Sequence, residues 1–391
     1  MDFSDDDRSA MRRALHLAER GRGWVEPNPL VGAVLVREGR AVGEGWHERF
    51  GGPHAEVNAL AAAGERARGS TLYVTLEPCD HAGKTPACAP AVVRAGVARV
   101  VIPLRDPTAA DPGGGVAILR RAGIAVDEGL CEDEAARQNA AFFKLAAVGR
   151  PLVTAKWAMS IDGRAAARTG DSRWISSVES RRDVHRLRGL VDCVLVGAGT
   201  ARADDPLLTC RDAERRRTAA RLVLCGRRAP RPDSRLACTA REAPVLLACV
   251  DGEPPEGLPA LQALGCEVLS LPRGGPGSPR VDPAALLDAL GARRMANVLV
   301  EGGPDVLGSF FDAKLVDRVL AYVAPRLIGG SGALGPVGGQ GVDAMSAVRD
   351  LADCEVVRVG PDVLVRGWVT APRNWIARGQ QKGTPPGSSG C

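Results

Sequence analysis

The first 149 residues alternate between short apolar runs and stretches whose apolar positions have helical spacing. Residues 30–36 (LVGAVLV) and the AVGEGW segment that follows a polar turn predict a strand hairpin. The alanine-rich segment 54–64 predicts a helix that stops at its final glycine. Further strands are predicted at TLYVTLEP, VARVVIP and GIAVDEG, and helices at CAPAVVRAG, GVAILRRAG and EDEAARQNAAFFKLAAVG. This alternation is typical of an α/β domain, which we expect to span residues 1–149.

The same pattern starts again at Arg150, so a second α/β domain is predicted for residues 150–371. Its first helix lies in SSVESRRDVHRLRGL, where Ser176 and Glu179 have the spacing of a capping box. Residues 372–391 are rich in glycine, proline and serine and predict a disordered tail. The predicted strands of the second domain are RPLVTAKWAMSIDG, VDCVLVGAG, RLVLCG, APVLLACV, CEVLSLP and NVLVEGG, and its later helices are DPAALLDALGARR and PDVLGSFFDAKL.

Composition narrows the class of protein. A chain of 391 residues, 45% hydrophobic and 25% charged, can bury the cores of two domains. The net charge is only +5 and aromatic residues make up 4%, which argues against a nucleic-acid-binding protein. No apolar run reaches the length of a membrane span, and the acidic start MDFSDDDRSA is unlike a targeting signal. The 11 cysteines are odd in number and lie in apolar segments, so we expect reduced thiols in a cytoplasmic protein.

Candidate chemistry appears first in the segments HAE and LEPCDHAGKTPAC. His54, Glu56 and Cys79 match the H-x-E and P-C parts of the zinc deaminase signature, and Cys88 supplies a second thiol. One imidazole and two thiolates leave the fourth tetrahedral position of zinc for a water molecule, whose pKa the metal lowers. Glu56, two residues beyond a ligand, would take the proton of that water and deliver it to a departing amine.

Two alternatives stay open at this point. Cys79 and Cys88 could be ordinary core thiols, with His54 doing no more than capping a helix. His81, two residues from Cys79, could also replace one of the ligands. The C-x8-C spacing of Cys79 and Cys88 also differs from the C-x-x-C of the signature.

That longer spacing is part of a wider resemblance. The segment from NPLVGAVLV to TLYVTLEPCDHAGKTPAC resembles the deaminase half of the bifunctional riboflavin-pathway deaminase–reductase family, including its C-x-H-x-G-x-T-P-x-C run. The resemblance implies a cytidine-deaminase-like three-layer α/β domain. Residues 105–115 depart from the compact D-P-N-P run of the family, so no substrate contact is carried over to them. The implied zinc ligands are His54, Cys79 and Cys88, the implied proton shuttle is Glu56, and the implied lining of the pyrimidine pocket is Asn28, His47 and His81.

The second half contains weaker signals when its residues are taken alone. VEGGPDVLGSFF predicts a strand, glycines and a helix start, a geometry that can bind phosphate or can simply pack tightly. GAGT lacks the third glycine of a Rossmann fingerprint. Arg188 and Arg211 suit bidentate phosphate binding, although each taken alone is more typical of a solvated surface arginine.

Here too the residues resemble the same family, and more distantly the dihydrofolate reductase fold. The matching segments are KWAMSIDG, TGDSRWIS, DVHRLR, VGAGTARADDPLLTCR and VEGGPDVLGSFF, in the order of the family. The resemblance implies an NADPH-dependent reductase that converts a ribosyl group to a ribityl chain. The implied NADPH contacts are Ala158, Trp174, Thr200, Asp204, Gly303, Pro304, Asp305, Val306, Leu307, Gly308 and Ser309. The implied contacts to the phosphosugar substrate are Lys156, Ser172, Arg188, Leu208, Arg211 and Glu301.

One position departs from that pattern. Gly226 stands where the family usually has serine, so Arg227 or Arg228 is expected to replace a contact to the adenosine 2′-phosphate.

The resemblance therefore predicts a bifunctional enzyme of riboflavin biosynthesis that uses Zn²⁺ and NADPH. It would deaminate 2,5-diamino-6-ribosylamino-4(3H)-pyrimidinone 5′-phosphate and reduce 5-amino-6-(5-phosphoribosylamino)uracil. Its partners would be phosphorylated pyrimidines, not nucleic acid or a membrane, and homo-oligomerisation is left open. Two rival hypotheses are a zinc deaminase of RNA or nucleosides, which needs a basic stripe with aromatics, and a zinc-stabilised binding protein, which needs four protein ligands and no Glu56.

Overall fold

The computed structural model describes residues 2–109, 113–275 and 278–376. Internal contacts divide this part of the chain into two compact units. The first comprises residues up to Val148 together with 372–376, and the second comprises Gly149–Ala371. Each unit contains one sheet with interspersed helices, which confirms the predicted α/β class. Within the described ranges, no helix combines the length and the apolar character needed to cross a bilayer.

The first unit contains a five-stranded sheet with strand order β2-β1-β3-β4-β5. β1 is antiparallel to both of its neighbours, whereas β3, β4 and β5 are parallel. The strands are β1 (Gly32–Arg37), β2 (Arg40–Trp46), β3 (Thr71–Val74), β4 (Arg99–Ile102) and β5 (Ala125–Glu128). The helices are α1 (Asp5–Ala18), α2 (Ala55–Ala63), α3 (Cys88–Ala95), α4 (Gly114–Arg121), α5 (Glu132–Gln138) and α6 (Ala140–Val148).

Helix α2 lies unusually close to β2, and two glycines make this possible. A Cβ atom on Gly45 would lie 2.5 Å from the backbone nitrogen of Ala59. A Cβ atom on Gly43 would lie 2.4 Å from the carbonyl oxygen of Ala59. The small residues of the alanine-rich helix complete this close packing. As a result, the first turn of α2, which carries Glu56, is buried against the sheet.

The predicted helix that ends at Gly149 is in fact two helices, α5 and α6, because Asn139 interrupts it. The Asn139 side chain is buried, accepts a hydrogen bond from the Leu30 amide at 2.8 Å and donates one to the Leu30 carbonyl at 2.9 Å. This long-range pairing competes with helical continuity, as asparagine side chains commonly do. Helix α1 was not predicted, although Ser4 and Asp7 form its capping box.

The second unit contains a nine-stranded sheet with strand order β10-β9-β8-β7-β11-β6-β12-β14-β13. The first seven strands of that order are parallel, and β14 and β13 continue it antiparallel. The strands are β6 (Leu152–Ser160), β7 (Cys193–Gly197), β8 (Ala220–Leu224), β9 (Val245–Val250), β10 (Glu267–Leu271), β11 (Asn297–Gly302), β12 (Arg318–Ala324), β13 (Ala352–Val359) and β14 (Asp362–Trp368). The helices are α7 (Val178–Arg188), α8 (Ala198–Asp204), α9 (Arg235–Cys238), α10 (Leu258–Ala263), α11 (Pro283–Ala292) and α12 (Pro304–Asp312).

Both faces of the central parallel strands are buried, which explains their continuous apolar runs. Along β7, Cys193 and Leu195 belong to one core cluster, while Val194 and Val196 belong to another. Such burial on both faces is the rule for parallel sheets.

The N-cap of α7 differs from the prediction by one residue. The hydroxyl of Ser177, not that of Ser176, accepts a hydrogen bond from a backbone amide of the first turn, that of Ser180.

The disordered tail predicted from Pro372 onward is wrong for its first five residues. Residues 372–376 pack on the first unit, where Trp375 and Ile376 are buried. The ammonium of Lys144 lies 5.9 Å from the centre of the Trp375 ring, and Arg373 forms ion pairs with Glu132 and Asp133. These contacts offset the conformational entropy that is lost when the segment becomes ordered, which its composition alone did not suggest. The rest of the predicted tail, 377–391, lies outside the described residues.

Candidate active sites

The first unit brings His54, Cys79 and Cys88 together at the start of two helices. His54 is the N-cap of α2, and Cys88 is the first residue of α3. Cys79 lies in the loop after β3, where the Cys88 amide donates to its sulfur at 3.3 Å. One ligand atom from each residue lies within 4.8 Å of the other two. This is the only such group among the described residues, and His81 is not part of it.

The three donors fit a tetrahedral zinc ion. Zn–N bonds of about 2.0 Å and Zn–S bonds of about 2.3 Å place neighbouring ligand atoms about 3.5–3.8 Å apart. His54 Nδ1 lies 3.2 Å from Cys88 Sγ and 3.6 Å from Cys79 Sγ. The thiol of Cys88, the His54 ring and the Cys88 amide lower the pKa of Cys79 to about 4, despite the opposing effect of burial. Cys79 is therefore available as a thiolate, the form that binds metal.

Thr85 sets the orientation of the His54 ring. The sequence analysis includes Thr85 in the motif but gives it no role. His54 Nε2 lies 3.3 Å from Thr85 Oγ1, so the ring nitrogen opposite the cluster can donate to this hydroxyl. A hydrogen bond at the second nitrogen fixes the tautomer and the orientation of a metal-binding imidazole. The threonine of the C-x-H-x-G-x-T-P-x-C run thus supports the metal ligand directly.

Glu56 is buried beside the cluster, with only 3% of its surface exposed. Burial raises the pKa of Glu56 to about 7, with a smaller contribution from the charge of Cys79. A carboxyl group with a pKa near neutrality can both accept and return a proton at physiological pH. Because it lies outside the three-atom cluster, Glu56 is placed to move a proton without occupying a ligand position.

Two of the predicted pocket residues contact each other beside the metal ligands. His47 is buried and donates from Nδ1 to the Pro53 carbonyl at 3.0 Å, so its Nε2 can accept from the Asn28 amide at 3.3 Å. Burial lowers the pKa of His47 and keeps the ring neutral. The rings of His47 and His54 meet edge to face at 5.2 Å. Asn28 and His47 thus form a hydrogen-bonded pair whose histidine contacts the ring of a metal ligand.

The third predicted pocket residue, His81, is partly exposed and donates to Asp80 at 2.8 Å. Asp106, which sequence reasoning did not single out, lies close enough to interact with the charge of His81. Its amide donates to the buried carboxylate of Glu77 at 3.0 Å, which ties the loop after β4 to the LEPC segment. Residues 110–112 of that loop lie outside the described part of the chain.

The second unit contains a cleft of about 1280 Å³ along the carboxyl ends of its parallel strands. It is lined by nearly all the residues that the resemblance assigned to reduction: Lys156, Ala158, Ser172, Trp174, Arg188, Thr200, Asp204, Leu208, Arg211, Glu301, Gly303, Pro304, Asp305, Val306, Leu307 and Ser309. Gly308 is the exception, because it faces residues 338–339 and a Cβ atom there would lie 2.3 Å from the carbonyl carbon of Gly338. Gly308 therefore does not line the cleft, and its contact with the cofactor stays a prediction.

A buried ion-pair group occupies the floor of the cleft. The carboxylate of Glu301 accepts from Arg188 Nε at 2.6 Å and from Nη2 at 2.8 Å, in a bidentate pair, while Lys156 Nζ lies 3.7 Å away. Burial opposes ionisation of Glu301, but Arg188 and Lys156 outweigh it and lower its pKa to about 2. Burial lowers the pKa of Lys156. Arg188 and Glu301 therefore present fixed charges to a polar ligand, whereas Lys156 gives up its proton more readily than an exposed lysine.

The turn between β11 and α12 places the N-terminus of α12 at the cleft. Gly302 has a φ of 99°, a conformation that favours glycine, and Gly303 is the N-cap of α12. The Gly303 amide is held by Thr200 Oγ1 at 2.8 Å, and a Cβ atom on Gly303 would lie 3.1 Å from that hydroxyl. The dipole of this helix N-terminus suits the pyrophosphate of a dinucleotide, so these residues fit NADPH.

The walls of the cleft carry a large excess of positive charge. Ten lining residues are lysine or arginine and four are aspartate or glutamate, an excess of six, whereas the whole chain carries +5. The remainder of the protein is therefore nearly neutral. Trp174, 60% exposed, has the guanidinium of Arg181 at 4.6 Å from its ring centre. Arg227 and Arg228 lie at the rim, next to Gly226.

Sequence reasoning missed two cleft residues near Arg211. His185 on α7 lies against the Thr209–Arg211 segment, with its Nδ1 3.1 Å from the Arg211 amide nitrogen. Arg235, the first residue of α9, also lines the cleft. The DVHRLR motif contained the signal for His185, whereas Arg235 lies outside every segment that resembles the family.

Comparisons with known proteins agree with this arrangement. The model of the cytidine and deoxycytidylate deaminase zinc-binding region matches residues 4–104, and the model of the RibD C-terminal domain matches residues 151–365. Riboflavin biosynthesis protein RibD of Aquifex aeolicus is 40% identical over 359 residues, covering 92% of this chain and 97% of its own.

Two solved structures extend the likeness to the fold. Acinetobacter baumannii RibD is 34% identical, with a TM-score of 0.79 over 93% of this chain and 98% of its own. The Thermotoga maritima protein described as a diaminohydroxyphosphoribosylaminopyrimidine deaminase/5-amino-6-(5-phosphoribosylamino)uracil reductase is 35% identical, with a TM-score of 0.77 over 92% and 98%.

Fold and sites together define a zinc-dependent deaminase joined to an NADPH-dependent reductase. The chain belongs to the RibD family of bifunctional deaminase–reductases of riboflavin biosynthesis. The two rival hypotheses, an RNA or nucleoside deaminase and a non-enzymatic zinc protein, are thereby set aside.

Proposed function

We propose that the first unit removes the 2-amino group of 2,5-diamino-6-ribosylamino-4(3H)-pyrimidinone 5′-phosphate, and that the second reduces the product. The second substrate is then 5-amino-6-(5-phosphoribosylamino)uracil, whose ribosyl group becomes ribityl. The observation that supports this assignment best is the three-ligand cluster with Glu56 buried beside it, in the same chain as a cleft lined by arginines. The description of the Thermotoga maritima relative names the same two activities.

In the deaminase site, His54, Cys79 and Cys88 would hold zinc. When bound, zinc supplies a water of lowered pKa at its open fourth position. Glu56 would accept a proton at its carboxylate and deliver it to the 2-amino nitrogen, so that this group leaves as ammonia while an oxygen from water takes its place at C2. Asn28 and His47, which are hydrogen-bonded to each other, would orient the ring beside the metal.

In the reductase cleft, the Gly303 turn, Thr200 and Trp174 would orient the cofactor. When bound, NADPH supplies the hydride. The ion-pair group of Lys156, Arg188 and Glu301 would bind the ribose hydroxyls, and Lys156 could protonate the ring oxygen as the sugar opens. The protein contributes mainly distance and orientation, because the cofactor carries the redox chemistry. Arg211 and Leu208 would hold the phosphorylated end of the substrate.

The proposal assigns the two activities to residues 1–149 and 150–371. It also places the enzyme in the cytoplasm, where thiols stay reduced, because all ten cysteines in the described ranges are free and two of them belong to the metal cluster.

Incubation of the protein with the diaminopyrimidinone phosphate, with and without NADPH, tests the proposal. Without NADPH we expect the aminouracil phosphate and ammonia, and with NADPH we expect the ribityl product and an equivalent of NADP⁺. A metal assay should find one zinc per chain, and light scattering on the same sample gives the oligomeric state. Failure to release ammonia from this substrate by zinc-replete protein would contradict the proposal.

A further inference from the structure

Asn28 lies in the segment that leads from α1 to β1, which forms no strand. The Asn28 amide donates to the Val25 carbonyl at 3.0 Å, within a turn. Leu30 follows two positions later, still ahead of β1, so the sheet does not pair its backbone groups. Leu30 is nevertheless buried, and buried backbone groups need partners inside the protein.

Asn139 supplies both partners. Its side-chain oxygen accepts from the Leu30 amide at 2.8 Å, its side-chain nitrogen donates to the Leu30 carbonyl at 2.9 Å, and the whole side chain is buried. Among short side chains that are neutral at physiological pH, only that of asparagine offers an acceptor and a donor on separate atoms. The two bonds hold the peptide groups on both sides of Leu30, so they fix where the chain runs before and after this residue.

Both hydrogen-bonded pocket residues depend on the position of Leu30. Asn28 precedes it by two residues, and the carbonyl of the next residue, Val31, accepts from the His47 amide at 2.9 Å. The side chains of Asn28 and His47 then meet at 3.3 Å, which is already long for a hydrogen bond. A small shift of the Leu30 backbone would therefore separate this pair.

The interruption between α5 and α6 makes further contacts with the same part of the chain. The side chain of Gln138, the last residue of α5, donates to the Leu15 carbonyl at 2.8 Å, and Arg22 donates to the Gln138 carbonyl at 3.4 Å. Leu30 and Asn139 are 109 positions apart, so tertiary packing alone brings them together. The interruption thus holds the chain between α1 and β1 at several residues.

We propose that Asn139 is a positioning residue for deamination: it holds the Leu30 backbone so that Asn28 stays paired with His47 and can orient the pyrimidine. The inference rests on the proposed deaminase function and adds to it a residue outside the segments that contain the metal ligands and the pocket. Both side-chain hydrogen bonds of Asn139 go to Leu30, so its effect on the reaction must pass through the Leu30 backbone. Such a residue should matter only while the Asn28 side chain is present.

A double-mutant cycle tests this dependence. The measurement is kcat/KM for ammonia release from the diaminopyrimidinone phosphate by the wild type, Asn139→Ala, Asn28→Ala and the double variant. We expect Asn139→Ala to lower kcat/KM by about 10-fold, as for the loss of one hydrogen bond in the site. Asn28→Ala should lower it at least as much, and the double variant should be no worse than Asn28→Ala, because effects that share one route do not add.

Asn139→Asp covers the case in which alanine leaves the Leu30 backbone too poorly satisfied for the chain to fold. Aspartate has nearly the same shape, still accepts from the Leu30 amide, and lacks only the donor to the Leu30 carbonyl. It should also lower kcat/KM, and this effect should again disappear in the Asn28→Ala background. Zinc content, and the rate at which each variant reduces the directly supplied aminouracil phosphate, should stay at the wild-type values.

Ser70→Ala is the matched control. Ser70 is buried in the same unit and its hydroxyl donates to the Ala67 carbonyl at 2.7 Å, but it lies at the opposite end of β3 from Cys79. This variant also removes a buried hydrogen bond from a side chain to the backbone, so it should lower the Tm without lowering kcat/KM.

An equal loss from the Asn139 variants in the wild-type and Asn28→Ala backgrounds would overturn the proposal in favour of a general structural role. Loss of zinc, or an unchanged kcat/KM, would overturn it as well. Failure of the proposed function is distinguishable from these outcomes, because the wild-type protein itself would then release no ammonia from this substrate.

Discussion

The metal cluster of the first unit and the cleft of the second differ in how they are built. The cluster is compact, and its ligand atoms come from the starts of two helices and the loop between them. The cleft is wide, with walls drawn from residues 156 to 336 and an excess of positive charge. Beside the cluster, the carboxyl group of Glu56 is placed to transfer protons. The cleft residues instead form a charged surface that can bind a cofactor and a phosphosugar.

This difference has a quantitative consequence. Where a protein side chain moves the proton, replacing that side chain affects the chemical step directly and should lower the rate strongly. Where a cofactor carries the reactive hydride, the loss of one binding contact should cost only the free energy of that contact. The following predictions test the comparison, starting with the largest expected effect.

Glu56→Gln should lower the rate of deamination by about 10² to 10⁴-fold, because glutamine keeps the size of the side chain but cannot accept a proton. Zinc content should stay at the wild-type value, since Glu56 is not one of the three ligand residues. The measurement is ammonia release from the diaminopyrimidinone phosphate, with zinc determined on the same sample.

The control for this variant is the other activity. Reduction of 5-amino-6-(5-phosphoribosylamino)uracil, supplied directly, should proceed at the wild-type rate, because separately cored units tolerate damage independently. Near-normal deamination by Glu56→Gln, or loss of both activities in a folded protein, would refute the assigned role.

Arg211→Ala should lower kcat/KM of the reduction by about 10 to 150-fold, through loss of a charge-assisted contact of about 1.5–3 kcal/mol. Arg211→Lys should recover only part of this, because it replaces a planar fork with a point charge. Steady-state oxidation of NADPH measures the effect, with deamination as the control. If deamination fell and reduction did not, the assignment of the two sites would have to be reversed.

The adenosine end of the cofactor offers a finer test. The double variant Arg227→Ala/Arg228→Ala should weaken binding of NADPH and of 2′,5′-ADP by about 10-fold, if these arginines contact the 2′-phosphate. Binding of NADH and of 5′-AMP, which lack that phosphate, should not change. Fluorescence titration gives the four dissociation constants, and Arg231→Ala serves as the control. An equal loss for NADH would show that the arginines act on another part of the cofactor.

The smallest expected effect concerns stability and pH in the first unit. Burial disfavours the charged form of Asp7, but hydrogen bonds from Tyr73 at 2.7 Å, Arg99 at 2.6 Å and Ser4 outweigh it. The pKa of Asp7 is therefore held well below its usual range. Since the folded-state pKa is the lower one, this stabilisation is complete above about pH 4 and is lost as the pH falls further.

Asp7→Asn should lower the Tm of this unit by about 3–10 °C at pH 7, as expected for the loss of one or two charged hydrogen bonds. The difference from wild type should stay constant above about pH 4 and shrink as the pH falls from about 4 to about 2. Calorimetry over that range measures it, with Asp5→Asn, an exposed neighbour in α1, as the control. A difference that stays constant with pH would mean that the charge of Asp7 does not matter.

The two sites also differ in how much of each could be inferred from local sequence. HAE and PC-x8-C contain all three metal ligands within 35 residues. His54 and Cys88 lie at the starts of helices that the pattern predicted, and Cys79 directly follows a predicted strand. The local sequence is therefore almost sufficient to predict the three residues of the metal cluster. The reductase contacts came from the resemblance alone, and one of them, Gly308, faces the 338–339 segment because it lies on the far side of α12.

By itself, the sequence determined the α/β class, the place where the second α/β series begins, and the residues that meet as metal ligands, because periodicity, glycine stops and motif spacing are local properties. The tertiary structure decided which distant groups meet. Asn139 breaks a helix because its side chain binds Leu30, 109 positions away, and Arg188 reaches Glu301 across 113 positions because α7 packs near the end of β11. The order β7-β11-β6 places residues from distant parts of the chain side by side at the cleft. Such meetings depend on strand order and on buried hydrogen bonds, and no local pattern of apolar and polar residues encodes either of these.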